Sequence, residues 1–259
     1  MKKYINQFLA ILTVEIKSLI RQVGQLGFLI FAPFLFSLFT FSIGSSISGK
    51  LNIELWFYQL IGFTILTIAL IFTESSAWYI REGLLTGRLE YLLASPTNPL
   101  VVIFATAIFN GIFALSMFFI VGIIGVIIVY GVYKILNFII SVFILILFLL
   151  PMLGFNLIIA ALTILAKEPQ GVIQPVNSII STVSGFVYPI TLLPLFLQIL
   201  GKSLPFFYTV EGVRETVVNF VNIIYLYPIP MLILYFFAGI VIYRFLENQF
   251  IRKRGTYGW

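Results

Sequence analysis

The sequence predicts an all-α polytopic membrane protein: an N-terminal interfacial helix, six transmembrane helices, and a re-entrant pair of outer half-helices between the fifth and sixth spans. Three observations lead there. Hydrophobic residues make up 61% of the 259 positions and the mean hydropathy is +1.13, well above the ~45–50% apolar share of soluble domains. Charged residues make up only 9%, and they bound apolar windows long enough for the ~20 residues a helix needs to cross the hydrocarbon. In lipid, backbone groups must be bonded within their own segment, so those windows are filled by helices and not by open sheet or irregular chain. Residues 1–259 read as a single transmembrane domain.

The first element, residues 1–23, is an amphipathic helix lying in the headgroup plane. Ile5, Phe8, Leu9, Leu12, Ile16, Leu19, Ile20 and Val23 repeat the spacing of one helix face, while Lys2, Lys3, Lys17 and Arg21 meet anionic lipid. Glu15 and Lys17 interrupt any apolar core of a secretory signal, so none is expected.

A six-span bundle follows over residues 26–246. The windows run from Arg21 to Lys50, Glu54 to Glu74, Glu90 to Lys134, Lys134 to Lys167, Glu168 to Lys202 and Glu215 to Arg244. Kinks are expected at Pro151 in the fourth span and at Pro228 and Pro230, where the sixth begins. With the N-terminus inside, eleven of the fifteen Lys and Arg residues fall on the cytosolic side and only Lys50, Lys134, Lys202 and Arg214 lie outside. This asymmetry places both termini in the cytosol. The chain is thus expected to be a multi-pass protein of the cell membrane, with the basic tail 247–259 anchored at the inner leaflet through Arg252, Lys253 and Arg254.

Two regions depart from plain spans. The fifth helix carries Gln174, Asn177, Ser178, Ser181, Ser184, Gly185 and Tyr188 along one side, which fits either helix-packing contacts or the lining of a pathway. Beyond it, Pro189, Pro194 and Pro205 divide an apolar stretch that also holds Glu211, Arg214 and Glu215. Neither piece is long enough to cross, so they read as re-entrant half-helices on the outer face, the plainer alternative being a loop lying on lipid.

Charge is concentrated in one cytosolic elbow, residues 77–98, where Arg81, Glu82, Arg88 and Glu90 fall within ten positions. Gly87 is placed to cap a short helix with Glu90 at its positive end and Leu89, Leu92 and Leu93 on one face; Ser95-Pro96 stops it. Asn98 and Pro99 then start the next helix. Such an elbow is either a docking element for a soluble partner or an ordinary solvated loop.

Several chemistries are excluded. The chain has no Cys and no His, which removes disulfides, thiolate chemistry, the usual transition-metal ligands and the commonest general base. A net charge of +6 is spread between apolar spans instead of forming one basic face, so no nucleic-acid partner is expected. Gly201-Lys202-Ser203 lacks the glycine of a phosphate-binding loop, since position 196 is Phe196. Glu54, Glu74 and Arg244 lie near the expected span ends, which leaves no intramembrane charges for ion coupling. Energy for uphill transport would have to come from another polypeptide. A membrane anchor or sensor that recruits a soluble partner without moving anything is the alternative of a different class.

The segment Gly87-Arg88-Leu89-Glu90-Tyr91-Leu92-Leu93-Ala94-Ser95-Pro96 resembles the Gly-Thr-Leu-Glu-x-Leu-Leu-x-Ser/Thr-Pro motif of type-2 ATP-binding-cassette (ABC) exporter permeases. A second similarity lies in Ser184-Gly185-Phe186-Val187-Tyr188-Pro189, followed by Leu204-Pro205 and Glu211-x-x-Arg214. Arg88 departs from the family's usual Thr and adds a positive charge to the elbow. The resemblance, nearest the drug-resistance-like branch, implies a permease with no bound cofactor, driven by two copies of an ABC ATPase subunit that hold ATP and magnesium. It also implies a second permease copy or close paralogue, so that two six-span chains work together.

On that resemblance Arg81, Glu82, Arg88 and Glu90 are the expected ionic contacts with the ATPase, and Leu89, Leu92 and Leu93 its apolar seat, framed by Gly87 and Pro96. The second and fifth helices would border the conduit, which nominates Gln59, Thr67 and Thr73 beside Gln174, Asn177, Ser178, Ser181, Ser184 and Tyr188. Pro189, Pro194, Pro205, Glu211 and Arg214 would belong to an outer gate. The expected cargo is a hydrophobic or amphiphilic molecule, drug-like or lipid, leaving the cytosol or inner leaflet, with a lipid-linked glycan or polysaccharide as the alternative.

Overall fold

The computed structural model describes residues 2–21, 23–49, 52–87, 91, 99–166, 168–220 and 229–252. Among them no strand occurs. In chain order the helices are α1 (Lys2–Arg21), α2 (Val23–Ser48), α3 (Ile53–Leu85), α4 (Pro99–Tyr130), α5 (Ile135–Ala166), α6 (Pro169–Val183), α7 (Leu195–Ser203), α8 (Pro205–Asn219) and α9 (Ile229–Leu246). Of the expected elbow residues, Arg88, Leu89, Glu90, Leu92, Leu93 and Pro96 lie outside the described residues. The basic tail from Lys253 onward does so too.

Three stretches of the described chain are long and apolar enough to cross a membrane: Ile53–Gly83, Leu100–Tyr130 and Val132–Ala166. They correspond to the second, third and fourth expected spans, and the chain is membrane-embedded. The second is longer than its charge-free window. The window stops at Glu74, whereas α3 continues for about three further turns to Leu85. Glu74 therefore lies within a continuous helix and not at its end. A single carboxylate does not end a helix whose other turns remain apolar and packed.

The fifth window also divides. α6 has 15 residues and ends where Gly185 takes a φ of 74°, a left-handed conformation that glycine adopts without steric penalty. Pro189 precedes a 3-10 turn at Ile190–Leu192, and Pro194 precedes α7. Leu204 is extended at φ −89° and ψ 146°, as the residue before a proline prefers. Pro205 then starts α8 at a position where its missing N–H is not needed.

α3 is the central helix. Its Phe57, Ile61, Ile65, Ile68 and Phe72 are buried in one cluster with Phe118 of α4, Phe138, Phe148 and Met152 of α5, and Phe206, Val210 and Val217 of α8. A second cluster at the far end joins Ile80 to Leu100, Ile103, Leu157, Ile164, Tyr243 and Leu246. α9 crosses α5 at Gly154 and Gly239, where a Cβ at either glycine would overlap the backbone of the other helix. α8 is tied to the start of α5 from below: Lys134 Nζ donates to the Val218 carbonyl at 2.6 Å and Asn137 Nδ2 to that of Val217 at 3.3 Å. These donors satisfy carbonyls that the last turn of a helix leaves unpaired.

Candidate functional site

α3 and α6 run antiparallel, joined along their seam by polar contacts of long sequence separation. Arg81 Nη1 donates to Glu168 Oε1 at 2.7 Å. Further along, Thr73 Oγ1 donates to Asn177 Oδ1 and Asn177 Nδ2 donates to Glu74 Oε1, both at 2.8 Å. Further still, Gly62 lies directly against Phe186. The pairs run backward along α3 as they advance along α6 and the segment after it, as antiparallel neighbours do.

At the Arg81 end the ion pair is partly open, with side chains 29% and 52% exposed. Arg81 is thus engaged within the chain, while Glu82 next to it is exposed. Gly87 follows the end of α3 with a φ of 71°. Glu168→Lys is expected to lower stability by less than ~1 kcal/mol. The double reversal Arg81→Glu with Glu168→Arg should recover that loss in a double-mutant cycle read by thermal unfolding. A coupling of zero would mean that the pair does not hold the two helices together.

In the middle of the seam Asn177 is buried and bridges Thr73 and Glu74. Asn156 of α5 adds a parallel contact, donating through Nδ2 to Ser76 Oγ at 2.8 Å. A carboxylate within a span is disfavoured by on the order of 3 kcal/mol, and such groups are retained where they pair or face a polar space.

The polar residues expected on the fifth helix separate into two sets. Asn177 and Ser184 are buried, Gln174 and Ser178 are exposed, and Ser181 lies between these extremes. Ser184 Oγ is buried without a hydrogen-bond partner. Ser178 and Ser181 donate their hydroxyls to carbonyls of their own helix. Tyr188 lies beyond α6, its hydroxyl donating to the Thr182 carbonyl at 2.9 Å. On α3, Thr67 bonds back to the Phe63 carbonyl. Gln59 instead accepts from Thr40 of α2 at 2.9 Å.

The other end of the seam is closed by Arg214, which is 4% exposed. Its Nε and Nη2 donate to the Tyr58 carbonyl at 3.1 and 2.8 Å. Nη1 donates to the Gly185 carbonyl at 2.7 Å and Nη2 also donates to that of Phe186. The guanidinium lies over the Tyr58 ring, 3.4 Å from its centroid, with Glu211 Oε1 3.5 Å from Nη1. One side chain on α8 thereby fastens α3, the break after α6 and its own helix. Burial lowers the Arg214 pKa to about 10, so it keeps its proton at neutral pH. Burial also raises the Glu211 carboxyl above the ordinary range, opposed by Arg214.

Gly62 makes this closure sterically feasible, because a Cβ there would overlap the Phe186 carbonyl oxygen and the Arg214 guanidinium. Pro189, Pro194 and Pro205 mark the joints of the segment that Arg214 pins. A cavity of about 230 Å³ lined by Glu54, Phe57, Tyr58, Tyr130, Arg214 and Val218 lies beside it. That is smaller than the ~300–1,000 Å³ of a typical small-molecule pocket.

Sequence reasoning did not single out Tyr58, Gly62, Ser76, Asn156 or Glu168, whose roles depend on partners 80 to 156 positions away. Glu74 carried a signal in its charge alone, which the window boundary concealed. The family model described as ABC-2 type transporter matches residues 6–218. No curated protein matches the chain.

Proposed function

The chain belongs to the ABC-2 type transporter family, and on that premise we propose that it exports a hydrophobic or amphiphilic substrate from the cytosol or inner leaflet. As a member of this family it is the membrane permease of an ABC transporter, and such permeases generally work with an ABC ATPase subunit. The further elements of the proposal are two ATPase copies, a second permease chain and cytosolic termini in the cell membrane.

The observation that carries the reading is the polar outward face of α6, where Gln174 and Ser178 are exposed on a helix whose inner face is packed against α3. Polar side chains at membrane depth are retained where they meet water or another protein surface and not acyl chains. A passage completed by a second permease chain provides such a surface. With the Arg81 end in the cytosol, the Arg214 end is the outer mouth.

The same arrangement supplies a route for mechanical coupling. Arg81 and Glu168 join α3 and α6 where the elbow begins, so a displacement of the elbow by the ATPase would move both helices of the seam. At the opposite end the Arg214 contacts hold α8 to α3 and to the break after α6. Alternating access then amounts to tilting α3 and α6 about their polar contacts while the outer segment opens and closes.

The test begins with the elbow. Glu90→Lys is expected to abolish co-purification of the ATPase subunit from the native membrane while leaving insertion of the permease intact. Inside-out vesicles containing the variant should lose ATP-dependent accumulation of a hydrophobic dye. Full accumulation by the variant would refute the elbow's role, and the absence of any ATPase partner for the unaltered protein would refute the export reading.

A further inference from the structure

We infer that Glu74 is a recognition site for the positive charge of an amphiphilic cation, placed at membrane depth on the seam between α3 and α6. The inference deepens the export reading and depends on it only for the use to which recognition is put.

Four observations converge on this residue. Glu74 lies inside the Ile53–Gly83 span, about 14 Å short of Gly83 at the helical rise of ~1.5 Å per residue. It is not needed to neutralise a cation of the chain, since Asn177 is its one hydrogen-bond partner among the described residues and donates to Oε1 alone. The basic residue on the same face of α3 is Arg81, about 10 Å further along the helix, and Arg81 is already bound to Glu168 at 2.7 Å. Finally, Glu74 is partly exposed, as are its neighbours along α3, Thr67, Ile71 and Trp78.

The setting indicates what approaches that carboxylate. Asn177 holds Oε1 in place and is itself fixed by Thr73, so the carboxylate is oriented before any ligand arrives. Gln174, Ser178 and Ser181 follow Asn177 around α6 within about 100° of helix azimuth, at 100° per residue. They offer neutral polar contacts beside a single negative charge. Apolar side chains on α3 flank that charge, which suits a molecule whose bulk is hydrophobic and whose centre is a diffuse cation. A diffuse organic cation carries a smaller hydration shell than a metal ion or primary ammonium, and it leaves water for such a site with less penalty.

A structural role for Glu74, as an anchor for Asn177 only, makes a different prediction. Glutamine at position 74 still presents an oxygen to Asn177 Nδ2 and would preserve the helix contact. Only the charge would be lost. The two roles are therefore separable by a change that keeps shape and removes charge.

The experiment uses the full chain with its ATPase subunit in nanodiscs and measures equilibrium binding of tetraphenylphosphonium and tetraphenylborate, a cation and an anion of nearly the same size and shape. Binding to empty discs is subtracted, because both ions enter lipid. The unaltered protein should bind the phosphonium about tenfold more tightly than the borate, as one partly screened charge contact provides. Glu74→Gln should lose that preference while its thermal unfolding stays unchanged, and Glu74→Asp should keep most of it. Equal affinity for the two ions, no phosphonium binding, or an undiminished preference in Glu74→Gln would overturn the inference. ATP-driven movement of the phosphonium is read separately in proteoliposomes: charge-selective binding without movement would leave the recognition site standing and refute export.

Discussion

Arg214→Met is expected to destabilise the permease by about 3–5 kcal/mol, the range for breaking a buried ionic network by removing one partner. The guanidinium supplies donors to the carbonyls of Tyr58, Gly185 and Phe186, and methionine supplies none. Glu211, which is 3.5 Å from Nη1, would lose its counter-charge at the same time. Hydrogen bonds involving a charged group contribute roughly 1.5–3 kcal/mol each, so their combined loss exceeds what the methionine's apolar packing returns. Thermal unfolding of the purified protein in detergent reads this directly. Arg214→Lys should fall between the two, because an ammonium keeps the charge but cannot reach all three carbonyls in the plane of a fork. An Arg214→Met variant as stable as the parent would show that the network does not hold the outer segment.

Gly154→Val is the second large effect, at or above the top of the ~1–3 kcal/mol typical of overpacking. A Cβ at Gly154 would overlap the backbone of Tyr235 and Phe236 on α9, and one at Gly239 would overlap the Gly154 carbonyl. Because main chain stands on both sides, no side-chain rotation relieves the clash. The helices must separate. Small residues allow helices in a membrane to approach closely, where dispersion and backbone contact take over from the hydrophobic effect. Loss of α9 from α5 would also disturb the cluster around Leu157, Ile164, Tyr243 and Leu246. The expected readout is a lowered unfolding temperature and a reduced yield of folded protein from the membrane. Gly154→Val with unchanged stability would mean that α5 and α9 can part without consequence.

The two effects differ in kind. Arg214 is a polar fastening whose removal leaves unsatisfied groups, and its loss should be felt first in the outer segment. Gly154 is a steric allowance whose removal pushes helices apart, and its loss should be felt across the bundle. Transport assays would add to this contrast: a loosened outer segment should affect substrate movement even in conditions where the rest of the permease remains folded.

Much of the fold was legible from the sequence because a membrane constrains it so strongly. Apolar windows bounded by charge located α3, α4 and α5, since a helix of that length and composition has few other places to go. Prolines announced the joints before α7 and α8, because the ring restricts the residue before it and has no N–H to give. The elbow's composition and motif pointed to the family to which the chain belongs.

The candidate site was legible only in part. Asn177 and Thr73 could be nominated for their polarity, but nothing local showed that they bond to one another across 104 positions. Glu74 could be read only as the charge that bounds an apolar window, and nothing local showed that Asn177 would reach it across 103 positions. Gln59 and Thr67 share a helix with Thr73, yet Gln59 is turned to α2 and Thr67 to its own backbone.

The amino-acid sequence alone determined that this protein lives in a membrane, that its elements are helices and where proline and glycine interrupt them, because those properties follow from local composition and backbone stereochemistry. Only the tertiary structure decided which polar groups meet. Arg214 became a fastening through the seat of α8 against α3 and α5, and Glu74 a hydrogen-bonded carboxylate through the antiparallel register of α3 with α6. Hydrogen bonds act over about 3 Å, so their partners are chosen by how the helices pack and not by their order along the chain.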